Sequence, residues 1–158
     1  MNQNYLNKNP KSNSEIEIRE IRKDDCDRLR VLFLKERQNT FTWLDISAFS
    51  LEDFDKHTQG EFILVALLDA IPVGFISIWM PTNFIHNLYI DQDYQDKGIG
   101  TKLLEETIHK IGYPLSLKCL EKNTKAVAFY ERKGFAAKEK GNSENGTYIL
   151  FSKLKPSK

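Results

Sequence analysis

The sequence predicts a mixed α/β fold in which a mostly antiparallel central sheet is layered with about four helices. Three features predict it. Apolar runs recur at strand length, and two of them, residues 62–68 and 73–80, are split only by Asp69-Ala70-Ile71-Pro72, the pattern of a hairpin. Stretches with helical apolar spacing intrude between the strands without alternating strictly with them. Near the middle, Gln95-Asp96-Lys97-Gly98-Ile99-Gly100 joins an apolar run directly to a helix-like one. The expected order is β-α-α-β-β-β-α-β-α-β-β.

Residues 1–14 are rich in Asn and Lys and lack an apolar signal core, so a flexible tail is expected there. One domain then spans residues 15–154, and residues 155–158 form a second short tail. Residues 15–21 set Ile16, Ile18 and Ile21 against Glu17, Arg19 and Glu20, which reads as a strand. Asp24 or Asp25 caps a helix to about Gln38, with Cys26, Leu29, Leu32 and Phe33 at helical spacing. Thr40-Phe41-Thr42-Trp43-Leu44-Asp45 is irregular. Ser50-Leu51-Glu52-Asp53 resembles a capping box opening a short helix that ends near Gly60.

After the hairpin, Pro81-Thr82-Asn83 turns the chain into a third run over residues 84–90. The helix after the glycine turn covers residues 101–111 and buries Leu103, Leu104, Ile108 and Ile111. Gly112 closes it and Pro114 prevents its continuation. Residues 115–119 form a strand, Asn123 caps a helix through Lys133, and Gly134 stops it. Residues 135–139 and 147–151 flank the turn-rich Gly141-Asn142-Ser143-Glu144-Asn145-Gly146 as a closing hairpin.

Composition narrows the function. Hydrophobic residues at 41% and charged residues at 28% describe an ordinary globular chain able to bury one core. A net charge of +1, with acids interleaved among the bases, gives no electrostatic case for a nucleic-acid partner. No apolar run approaches the ~20 residues of a membrane span. Cys26 and Cys119 read as small buried residues in a reduced, cytoplasmic setting. The three His and two Cys show no metal-ligand spacing, so no metal is expected.

The glycine turn carries the chemistry. Gly98 and Gly100 have no Cβ, so the turn can take φ > 0 and a ligand can approach the main chain. The first N–H groups of the following helix lack internal partners and, with the helix dipole, attract an anion. Together they suggest a pyrophosphate cradle, although two glycines also fit a plain loop end. A Rossmann turn fits poorly, because its third glycine position holds Leu103, and the P-loop order is missing around Gly100-Thr101-Lys102.

These residues and this order resemble the GNAT superfamily of acyl-CoA-dependent N-acyltransferases over about residues 15–154. Gln95, Gly98 and Gly100 match its pyrophosphate motif, Gln/Arg-x-x-Gly-x-Gly/Ala. A second match follows, Asn123-x-x-Ala126-x-x-Phe129-Tyr130-x-x-x-Gly134-Phe135. Asn123 and Tyr130 lie about two helical turns apart and share a face with the small Ala126, while Val127 and Phe129 point elsewhere and can pack. The resemblance is weakest over residues 38–60, where the family varies its acceptor pocket.

The resemblance implies a splayed strand pair and transfer of an acetyl group from acetyl-CoA to a primary amine by direct attack in a ternary complex. The alternative is a non-catalytic CoA-binding or sensor module of the same fold. It implies that the backbone of Leu88, Tyr89 and Ile90 pairs with the pantetheine arm. Gln95, Asp96, Lys97, Gly98, Ile99, Gly100 and Thr101 would hold the pyrophosphate, and Asn123, Ala126, Phe129 and Tyr130 would complete the CoA wall. Tyr130 is the implied proton donor to the departing thiolate, against a plain core aromatic.

His86 matches a base position of the arylalkylamine branch, against a surface strand histidine. Alternation sets it beside Phe84, Leu88 and Ile90 and opposite Ile85, Asn87 and Tyr89. His57 and His109 read as solvated helix residues. Arg37, Trp43, Asp45 and Trp79 are candidate acceptor contacts, Asp45 suiting an ammonium, with core packing as the other reading. Cys119 has no base beside it in sequence and the family transfers directly, so it is not read as a nucleophile. The implied partner is a small-molecule amine or a peptide or protein amine, with no nucleic acid and no membrane; a homodimer is allowed.

Overall fold

The computed structural model describes residues 15–157, so the tail expected over residues 1–14 lies outside it. The elements are β1 (Ile16–Glu20), α1 (Cys26–Thr40), α2 (Asp53–Thr58), β2 (Phe62–Leu68), β3 (Ile71–Trp79), β4 (Phe84–Ile90), α3 (Ile99–Ile111), β5 (Leu115–Leu120), α4 (Thr124–Arg132), β6 (Ala136–Ser143) and β7 (Gly146–Lys153). The strands form one mixed sheet in the order β1-β2-β3-β4-β5-β7-β6. Every pairing is antiparallel except β4 with β5.

β2 shows why the sheet sits in the middle. Phe62-Ile63-Leu64-Val65-Ala66-Leu67-Leu68 is apolar at every position, which a strand needs when both of its faces are covered. Ile63, Val65 and Leu67 pack with Leu29, Leu32 and Phe33 of α1 and Phe54 of α2. Leu64 and Ala66 pack in the opposite layer, with Leu103 and Leu104 of α3 and Tyr130 of α4. Phe33, Phe54 and Phe75 meet edge-on at centroid distances of 5.2–6.1 Å. Full burial of such a side chain contributes about 1.5–3 kcal/mol.

Two hairpins are longer than the sequence pattern implies. Asp69 and Ala70 both take positive φ, 52° and 66°, which makes a tight primed turn, so β3 starts at Ile71 and not at Val73. The register shift between Ala66 and Leu67 accommodates Pro72 within the strand. In the final hairpin the turn-rich stretch pairs as far as Ser143↔Gly146, leaving only Glu144 and Asn145 as the loop. Gly141 lies against the Tyr148 hydroxyl where a Cβ would collide, so its glycine serves strand packing.

β4 departs from strict alternation, and the site depends on it. Ser77 faces Asn87 while Ile78 faces Ile85, so His86 is the extra residue of a β-bulge. Ile85 therefore turns into the α3 layer with Leu88 and Ile90, while Tyr89 enters the α1 layer. The expectation that His86 shares a face with Leu88 and Ile90 is thus corrected. The bulge aims it at α2 and at the residue preceding β2, where Glu61 Oε2 lies 2.9 Å from its Nδ1.

β4 and β5 pair only at Phe84↔Ser116 and Ile85↔Leu117. Beyond these two positions they part, giving the splayed strand pair that the family resemblance implies. β3 continues to hold the other edge of β4 as far as Gly74↔Ile90.

Candidate active site

The parting of β4 and β5 opens a cavity of about 600 Å³. Its walls come from the end of β4, the glycine turn, the start of α3, β5 and α4, and it reaches back to α1 and α2. Among the residues singled out by sequence, Arg37, His86, Leu88, Tyr89, Ile90, Gln95, Asp96, Gly98, Ile99, Gly100, Thr101, Asn123, Ala126, Phe129 and Tyr130 line it. Lys97, Trp43, Asp45 and Trp79 do not.

At the turn, Gly98 precedes α3 with φ +78°, a conformation that costs a non-glycine residue roughly 1–2 kcal/mol. A Cβ there would meet nothing within 4 Å, because it would stand in open space. The Gly98 carbonyl accepts its bond from Lys102, and no side chain caps the helix. The N–H groups of Ile99, Gly100 and Thr101 therefore remain for an anion. Gly100 has a different role: a Cβ would lie 3.2 Å from the Phe129 ring, so its glycine lets α3 and α4 approach.

The turn is held from three sides. Gln95 Nε2 donates to the Ile90 carbonyl at 3.1 Å, and Gln95 Oε1 accepts from Lys125 Nζ at 2.6 Å. The motif glutamine thus ties the turn to β4 and α4. Buried Asp91 accepts from Lys35 and from the Asp93 N–H, and Glu36 Oε2 accepts from the Gln92 N–H at 2.9 Å. Burial raises the Glu36 carboxyl above its usual value, partly offset by that N–H. Lys118, Lys125, Arg132 and Lys133 also line the cavity and give its β5–α4 side a positive character that the sequence pattern does not single out.

On α4, Asn123 Oδ1 accepts from the Ala126 N–H at 3.3 Å, so Asn123 is the helix cap as well as part of the wall. Tyr130 is 8% exposed, its ring set among Phe129, Phe135 and Phe151 at 5.3–6.2 Å. Burial pushes its phenol far above the usual value, so it stays protonated at every working pH. Cys119, 7% exposed, also lines the cavity. Burial pushes its thiol up to about 11, which disfavours the nucleophilic thiolate.

The far end of the cavity is built around Phe33. Its ring lies 5.2 Å from Tyr89, 5.6 Å from His57 and 4.8 Å from the Arg37 guanidinium. His57 is a half-buried wall residue stacked on His86, at 6.3 Å and 9° between planes, and so is not the solvated side chain that its helix position implied. Burial, and then Arg37, pull its imidazole below the usual value, so it is neutral at neutral pH. Glu61 was not singled out. Its side chain is 7% exposed, and Oε1 has no hydrogen-bond partner among the described residues.

The residues off the cavity have other partners. Asp45 accepts from the Ser47 N–H and hydroxyl, which hold its carboxyl below the usual range, and caps a short turn. Trp43 donates to the Asn145 carbonyl at 3.4 Å, joining the segment after α1 to the β6–β7 turn. Trp79 is 45% exposed and lies 3.6 Å from where a Cβ on Gly60 would stand.

A seven-stranded sheet that parts beside an uncapped helix N-terminus defines a CoA-type acyltransferase scaffold. A sequence model of the Acetyltransferase (GNAT) family matches residues 19–135, and the chain belongs to that family. No curated protein sequence matches it. Among solved structures, the PaiA N-acetyltransferase of Thermoplasma acidophilum in complex with coenzyme A is 20% identical, with a TM-score of 0.73 over 89% of this chain and 99% of that one. YncA of Salmonella typhimurium with acetyl-CoA is 17% identical, with a TM-score of 0.68 over 88% and 93%. The ribosomal-protein-S18-alanine N-acetyltransferase of Escherichia coli is 19% identical, with a TM-score of 0.67 over 89% and 94%. Among the described residues no helix is long and apolar enough to cross a membrane.

Proposed function

We propose that this GNAT protein transfers the acetyl group of acetyl-CoA to a primary amine by direct attack in a ternary complex. The observation that carries the reading is the parting of β4 from β5 after two paired positions, directly beside the open N–H groups of α3. The residues fit the co-substrate. Ile99, Gly100 and Thr101 present main-chain donors to its pyrophosphate, and Gly98 leaves the approach clear. The free edge of β4 over the segment Leu88, Tyr89 and Ile90 offers the outward main-chain groups of Leu88 and the Ile90 N–H to the pantetheine amides, as to an added strand, next to the Ile90 carbonyl that Gln95 holds. Acetyl-CoA supplies the activated thioester.

The chain's own groups do the rest. A β4 N–H polarises the carbonyl. Tyr130, kept protonated by its burial, donates to the leaving sulfur. His86 takes the amine proton, directly or through water, while Glu61 holds Nδ1 and leaves Nε2 to accept. Holding both substrates together makes the step effectively intramolecular.

Purified protein should show a CoA-dependent rise in melting temperature and release free thiol from acetyl-CoA when amines are supplied. A thermal shift without turnover across a broad amine panel would leave only a CoA-binding sensor. His86→Gln, which keeps hydrogen bonding but loses the base, should lower the rate about 10²-fold or more. A variant that keeps the wild-type rate would move the role to water.

A further inference from the structure

Within this N-acetyltransferase reading, we propose that the acceptor is a carboxylate-bearing amine, an amino acid or close analogue, seated with its carboxylate on Arg37. Arg37 lines the cavity with its side chain only 12% exposed. One nitrogen, Nη1, donates to Asp53 Oδ2 at 2.9 Å. The guanidinium carbon also lies over two rings, 3.9 Å from the Phe49 centroid and 4.8 Å from that of Phe33, which together with Asp53 restrain it. Its Nε and Nη2 groups have no other acceptor among the described residues. An arginine restrained in this way, with its remaining N–H edge uncommitted, is preorganised for a planar anion, and a carboxylate is the matching fork.

Asp53 does not compete for the acceptor's amine. Its oxygens already accept from Arg37 and from the Ser50 N–H and hydroxyl. Burial opposes its ionised form, but those donors outweigh the effect and hold it below the usual carboxylate range. It therefore anchors Arg37 as a permanent partner.

The polarity across the pocket completes the argument. Arg37 and neutral His57 both pack against the Phe33 ring, at 4.8 Å and 5.6 Å. His57 in turn stacks on His86, behind which the buried Glu61 carboxylate sits. The pocket is thus cationic at Arg37 and acidic behind His86, complementary to a molecule with a carboxylate at one end and an amine at the other. Small amines without an acid, and polyamines, leave the Arg37 edge unmatched in a partly dry site.

The test compares free amino acids with their own amides as acceptors, reading kcat/KM by thiol release at saturating acetyl-CoA. The wild-type enzyme should prefer the acid over the amide by about 10-fold or more, the scale of a charge-assisted hydrogen-bonded pair. Arg37→Gln should collapse that ratio toward one, with the amide rate changed far less. Arg37→Lys keeps a charge for Asp53 but loses the planar fork, and should fall between. A purely structural Arg37 would lower acid and amide together, and a wild-type ratio near one would equally overturn the proposal. If no amine is acetylated, thermal shift of the CoA-loaded protein by the same amino acids decides separately. A shift lost in Arg37→Gln keeps the carboxylate seat while ending the catalytic reading, and no shift in wild type ends the proposal.

Discussion

A Gly100→Val protein should bind coenzyme A at least about 10-fold more weakly while remaining folded. The reason is steric and local. The first carbon of any side chain at this position stands 3.2 Å from Phe129 Cζ and 3.4 Å from Cε1, closer than ordinary contact. Valine adds two methyl groups to that carbon, and the Phe129 ring must move. Phe129 lines the cavity, so its movement disturbs the cleft between α3 and α4 where the N–H groups of α3 meet the anion. Overpacking of this kind costs about 1–3 kcal/mol, which a folded domain of 5–15 kcal/mol survives. Gly98→Leu is the companion test. It has open space for its side chain, yet that space is the proposed pyrophosphate seat, and its φ of +78° adds strain. Calorimetric titration with coenzyme A, beside a circular-dichroism check of fold, reads the outcome. A folded Gly100→Val protein with unchanged affinity would place the pyrophosphate elsewhere.

The contrast between Gly98, Phe129 and His86 shows which parts of such a site are legible in sequence. A glycine turn before a helix, or an asparagine cap before Ala126, is decided by neighbouring residues, so local pattern finds it. The order of elements along the chain follows the same logic, and so does the two-sided burial of β2, because an all-apolar run must be covered on both faces. The face occupied by His86 follows from a single extra residue in the pairing of β4 with β3, and Phe84-Ile85-His86-Asn87-Leu88 carries no local mark of it. One such slip reverses every side chain before it. Glu61 and His57 come from the segment around the end of α2 and join the site only through that bulge, so nothing adjacent in sequence announces them. Asp45 and Trp43 are candidates by residue type, but neither lines the cavity: Ser47 satisfies Asp45, and Trp43 donates to Asn145 at the cavity's margin. The hairpin over Gly141-Asn142-Ser143 misleads for the opposite reason. Its composition reads as loop, yet main-chain pairing to β7 decides its structure.

Tyr130→Phe should lower kcat by about 10- to 10⁴-fold while leaving coenzyme A affinity nearly unchanged. The substitution removes one oxygen and keeps the ring. The ring is what packs: Phe135 lies 5.4 Å away, Phe151 6.2 Å and Phe129 5.3 Å, and Phe fills the same volume. Stability should therefore change little, and a lost rate reports the hydroxyl alone. The burial that raises the phenol also sets the sign of the pH dependence. A group protonated throughout the working range contributes no limb of its own to the rate profile, so any acid limb belongs to another group. The variant should thus show a uniformly lower rate with the profile's shape retained, whereas loss of the base alters the shape. The comparison separates donor from acceptor of protons in one experiment. Thioesters whose thiol leaves without protonation supply the control, since their turnover should be nearly insensitive to Tyr130→Phe. Wild-type turnover by the variant with acetyl-CoA at saturation would remove Tyr130 from the chemistry and leave it as a wall of the cavity.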